Sequence, residues 1–139
     1  MRKNSDSLPL SEKWLKFADE DYALVVFLNN KESKFFRSLC FHAQQFIEKI
    51  LKGIIEGSGR VPPRIHDINA LVKRVNKLGF TIPLEENEIL FLSSVYIDIR
   101  YPPDVGLIPE GEPTKEDAQM VVKAVEKIKE WITQRGNSY

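Results

Sequence analysis

One stretch constrains the rest of the chain: Phe35 to Gly57, FFRSLCFHAQQFIEKILKGIIEG. At ~100° per residue, Phe36, Leu39, Ala43, Phe46, Ile47, Ile50, Leu51 and Ile54 gather on one arc, the pattern of an amphipathic helix. His42, Gln45, Lys49, Lys52 and Glu56 collect on another side, and Gln44 and Glu48 lie beyond the far edge of the apolar arc. Such a helix presents a greasy face to a core and a mixed-charge face elsewhere. Gly57, Gly59, Pro62 and Pro63 end it.

The flanking segments repeat the helical period. After a polar lead-in with Pro9, Ser11 is placed to cap a helix on which Trp14, Phe17, Ala18, Tyr22, Val25 and Leu28 share a face, with Asp21 in its middle. Asn29 to Lys34 is a short polar turn into the long second helix. Beyond the loop SGRVPPRIHDI, Asp67 caps a third helix carrying Leu71, Val72, Val75 and Leu78, which Gly79 stops. A fourth, from about Leu84 to Tyr101, carries Ile89, Leu92, Tyr96 and Ile99, with Arg100 at the edge of that stripe. The segment YPPDVGLIPEGEP cannot continue it. Thr114 and Asp117 form a capping box for a last helix with Ala118, Val121, Val122, Val125, Ile128, Trp131 and Ile132. No stretch alternates with strand period and no repeat is visible, so the expectation is all-α.

With 139 residues and 42% hydrophobic content, the chain suits one domain. Lys plus Arg and Asp plus Glu number 20 each, so no global positive field draws the protein to nucleic acid or an anionic membrane. Phosphate recognition would have to be local. The single cysteine, Cys40, makes no intramolecular disulfide and fits a reducing cytoplasm. The longest apolar run, Ala23 to Leu28, is far short of a membrane span, and the N-terminus lacks the apolar core of a signal peptide, so a soluble cytoplasmic protein is expected.

The pieces ADEDYALV, CFHAQQFIEKILKGII, PPRIHDI, IDIRYPPD and PTKEDAQMVVKAVEKI, in this order over most of the chain, resemble a HEPN domain of the small stand-alone prokaryotic kind. The resemblance implies an antiparallel up-and-down bundle of four long helices plus one short helix over residues 11–135, behind a flexible lead-in at 1–10. It further implies a homodimer, a minimal nucleotidyltransferase as partner in a toxin–antitoxin pair, and metal-independent ribonuclease activity. Ribonuclease members carry a histidine after four to six residues beyond the arginine near the end of the fourth helix. Here Arg100 is followed in that window by Val105, Gly106 and Leu107. Asp104 is close, but a carboxylate donates a proton at neutral pH only if its pKa is strongly raised.

The candidate site residues follow from charge on apolar faces and from the resemblance. Asp21 and Arg100 would each be costly to bury unpaired, which suggests that they pair with each other, with Glu48 or Lys49 nearby. Such a cluster either fixes helix register or lines a cleft where Arg100 grips phosphate. His42, one of two histidines, is the candidate for proton transfer; the alternative is a packed or surface histidine. His66, before a helix cap, reads as structural. Arg100, His42 and Asp104 are therefore the catalytic candidates, and Asp21, Glu48, Lys49, Arg64 and Tyr101 the ligand-binding ones; Arg60 and Arg64 also fit ordinary exposed loop residues. No HExxH or comparable spacing exists and one cysteine builds no zinc site, so neither metal nor cofactor is expected. Two functions stay open: a nucleotide- or RNA-associated toxin-like protein centred on Arg100, and a non-catalytic helical dimer that binds a nucleotidyltransferase.

Overall fold

The computed structural model describes residues 7–30, 34–100, with the backbone alone for 96–100, and 112–135. It is an antiparallel helical bundle: α1 (Glu12–Asn30), α2 (Phe36–Gly57), the short α3 (Ile68–Lys77), α4 (Glu86–Arg100) and α5 (Lys115–Arg135). The long second helix is the hub, packing against each of the other four. Its apolar arc does this: Leu39, Ala43, Phe46, Ile47, Ile50, Leu51 and Ile54 are all buried. Each large side chain among them contributes roughly 1.5–3 kcal/mol of transfer free energy.

The helix ends form as the local chemistry dictates. The Asp67 carboxylate accepts the Asn69 N–H at 3.0 Å to cap α3. At α5, the Asp117 N–H donates to the Thr114 hydroxyl at 3.0 Å and the Thr114 N–H donates to Asp117 Oδ2 at 2.9 Å, a complete capping box. Past α2, Gly59 adopts φ +85° while the Arg60 N–H returns to the Ile55 carbonyl, a left-handed closure that a side chain would strain.

Two expectations need correction. The helical period puts Phe17 on the core-facing side of α1, yet it is 50% exposed. The buried strip of α1 is Ala18, Asp21 and Val25, and Phe17 falls at its rim. The lead-in expected to fray over residues 1–10 is instead docked by its end: Leu8 and Leu10 are buried, and the Ser11 N–H donates to the Gly53 carbonyl at 3.1 Å. Small residues on α2 make room for it. A Cβ on Gly57 would overlap the Pro9 carbonyl.

Candidate functional site

Asp21 lies mid-strip on α1, pressed against α2, and is 5% exposed. A lone carboxylate there would cost several kcal/mol on the order set by ion desolvation. Two side chains of α2, seven residues and two turns apart, meet it. His42 Nδ1 stands 2.9 Å from Asp21 Oδ1, and Lys49 Nζ stands 2.6 Å from Oδ2. A carboxylate only accepts, so His42 carries its proton on Nδ1 and turns Nε2 away from Asp21. The side chains of His42 and Lys49 are 27% and 26% exposed, against 8% for Asp21. The buried acid thus fixes two groups that reach the surface together. Phe41 packs edge-on against the His42 ring, with centroids 5.3 Å apart.

On another flank of α2, Glu48 builds a second network. Its Oε1 accepts from Gln44 Nε2 at 3.0 Å, and its Oε2 accepts from Lys52 Nζ at 3.0 Å and lies 2.9 Å from His66 Nδ1. Gln44 Nε2 also donates to the His66 carbonyl at 3.2 Å, and Gln45 donates to Gln44 Oε1 at 2.7 Å. Gln44, Glu48 and Lys52 are buried, spaced four residues apart along one row of the helix. The row staples the loop before α3 to α2. A third buried acid, Glu88, pairs with Lys127 at 2.6 Å and accepts the Glu85 N–H, which starts α4.

Asp21, His42 and Lys49, three of the residues nominated from sequence, therefore come together. Glu48 belongs to the neighbouring network. Arg64 is exposed in the loop. The side chain of Arg100, and Tyr101 and Asp104 entirely, lie outside the described residues. So does the expected Asp21–Arg100 pairing, although both Asp21 oxygens already have partners. Sequence reasoning missed the role of His66 and the burial of Lys52. The Gln44–Glu48–Lys52 spacing hinted at the second; nothing local signals that His66 crosses to Glu48.

The chemistry open to the first site is proton transfer and anion contact. An imidazole held through Nδ1 by a carboxylate offers Nε2 as a proton acceptor when neutral and donates from both nitrogens when charged. The Lys49 ammonium beside it favours a negative group. Cys40 takes no such part. Burial first, and the Asp117 charge second, push its thiol up to about 12. Burial also raises the Tyr22 hydroxyl, helped by the Glu126 carboxylate beside it. Among the described residues no group of three His, Cys, Asp or Glu gathers as a metal site would need, and no helix is long and apolar enough to cross a membrane.

A family model described as HEPN domain matches residues 11–135. No curated protein and no solved structure matches the chain.

Proposed function

This chain belongs to the HEPN domain family, and we propose that it is a nucleotide- or RNA-binding module, the toxin-like half of a cytoplasmic two-component system completed by a minimal nucleotidyltransferase. The observation that carries the reading is the surface pair His42 and Lys49, fixed by the buried Asp21. A phosphate ester at this rim meets an ammonium and an imidazole that are already oriented, so little freedom is lost on binding. The resemblance assigns Arg100, at the end of α4, to the same phosphate, with Tyr101 and Asp104 following it.

Residual cleavage of RNA runs without metal in this reading. His42 Nε2 takes the proton of a ribose 2′-hydroxyl, whose oxygen bonds to the adjacent phosphorus as the bond to the 5′-oxygen breaks. A proton from water neutralises the departing alkoxide, and a 2′,3′-cyclic phosphate remains. With no histidine in the window after Arg100, the leaving group lacks a dedicated acid and turnover is slow.

A second reading, a non-catalytic dimer that docks the nucleotidyltransferase, draws on the outer face of α1. Phe17, Leu24 and Phe27 are 50%, 40% and 56% exposed on that face. Its proposed occupant is a second copy of the chain.

Labelled single-stranded RNA incubated with the purified protein separates the two. Retention and slow cleavage that Lys49→Gln, His42→Ala and Arg100→Ala each reduce support the first. No binding at tens of micromolar protein, with dimers in sedimentation that Phe27→Asp dissolves, supports the second.

A further inference from the structure

We infer that the groove between the C-terminal end of α2, the loop after it and α3 is a separate binding site for the phosphate groups of a single-stranded RNA or a free nucleotide. The groove encloses about 540 Å³, within the range of small-ligand sites. Arg60, Lys73, Arg74 and Lys77 rim it, over a floor that includes Ile55 and Leu78. No acidic side chain lines it.

Its charge is local and uncompensated. Residues 58–78 hold five cations and one acid, in a chain whose formal net charge is zero. That acid, Asp67, is engaged as the α3 cap. Several cations elsewhere have counter-ions: Lys49 with Asp21, Lys52 with Glu48, Lys127 with Glu88, Lys129 with Asp19. Arg60, Lys73, Arg74 and Lys77 are exposed, and no hydrogen bond or ion pair engages them among the described residues.

Helix chemistry alone does not place them there. Arg74 and Lys77 in the last turn of α3 suit the negative end of its dipole. Lys73 is not needed for that, and beside Lys77, four residues on, it adds like-charge repulsion along one face of the helix. Arg60 comes from a different segment altogether, carried to the same rim by the turn at Gly59. Val61, beside it, is 89% exposed, an apolar surface on which a ribose or base can rest. Two guanidinium forks and two ammonium groups around an apolar floor match phosphates joined to a flat organic group. The groove and the Asp21 site lie on different flanks of α2, so each can be tested without the other.

The test measures binding of the full chain to a fluorescein-labelled oligo(U) 12-mer, to ADP, and to a 12-residue Asp/Glu peptide, at several salt concentrations. Lys73→Gln/Lys77→Gln is compared with His42→Ala/Lys49→Gln, each verified as folded by circular dichroism. The inference expects the groove variant to weaken oligonucleotide or ADP binding at least tenfold. For the oligonucleotide, its log–log salt dependence should flatten by about 1.4, two phosphate contacts at ~0.7 each for a single strand. Oligonucleotide binding identifies a strand and ADP binding alone a free nucleotide; either one, lost in the groove variant, supports the site. An unchanged affinity and slope in that variant overturns it, as does peptide binding as tight as RNA binding, or no binding of RNA or ADP. Loss confined to the groove variant would leave this site standing and remove the reading built on His42 and Lys49. Loss confined to the other variant would do the reverse.

Discussion

Asp21 and His42, twenty-one residues apart, meet across the packing of α1 on α2 with Oδ1 2.9 Å from Nδ1. Because the same carboxylate also holds Lys49, it organises the rim of the proposed site from below. Asp21→Asn keeps the shape and removes the charge. It should cost about 1.5–3 kcal/mol, the range for lost hydrogen bonds to charged groups, since His42 and Lys49 can turn to water. Urea midpoints check this, and a loss under a few tenths of a kcal/mol would show that the contact does not hold the two helices.

Glu48 should matter more for stability. Lys52 has a side chain only 8% exposed, so Glu48→Ala strands a buried ammonium and should cost about 3–5 kcal/mol. Adding Lys52→Met removes the stranded charge and should restore more than half of the loss. A double-mutant cycle with no coupling would contradict this account.

Docking of the lead-in predicts a position-specific glycine effect. Gly57→Ala drives a methyl group into the Pro9 carbonyl and should unseat Leu8 and Leu10, whose burial is worth roughly 1.5–3 kcal/mol each. In a chain lacking residues 1–10 the same substitution should be nearly neutral. Gly59→Ala should cost about 1–3 kcal/mol in both backgrounds, because its penalty is the left-handed φ rather than contact. Thermal or urea unfolding of these four variants and their two parent chains checks the pattern.

Cys40 gives a pH prediction. Its folded pKa, about 12, stands above the ordinary 9.0. Below 9 both folded and unfolded thiols keep their proton and the contribution is constant. Between about 9 and 12 the unfolded chain loses the proton first, so stability falls as pH rises. Cys40→Ala should flatten that alkaline limb. Ellman's reagent at pH 8 should react with native protein only as fast as it opens.

Much of the fold was legible in sequence because it rests on local rules. The periods of α2 and α5, the Asp67 cap and the Thr114–Asp117 box are set by residues within one or two turns of each other. Phe17 was not legible, since period marks a face but not how wide a strip the neighbour covers. Leu8 and Leu10 were hidden by the polar residues and proline around them; their burial depends on the small residues Gly53 and Gly57, more than forty positions away. At the site, the need of Asp21 for a counter-charge followed from its place on an apolar face. Its partners did not, because an arginine on α4 and the polar flank of α2 satisfied the same electrostatic demand. The basic groove escaped notice for a similar reason: Arg60 and the α3 cations become one feature only when the loop folds back.

The most direct test of the central claim, that Asp21 sets His42 and Lys49 to engage a phosphate, is equilibrium binding of a short single-stranded RNA by fluorescence anisotropy at fixed salt. Wild type is compared with Lys49→Gln, His42→Ala and Asp21→Asn below their unfolding transitions. The account predicts that Lys49→Gln and Asp21→Asn each weaken binding about tenfold, or 1.4 kcal/mol, and that the double variant is little worse than either, since both act through one anchored group. Affinities within twofold of wild type in all three folded variants would contradict it.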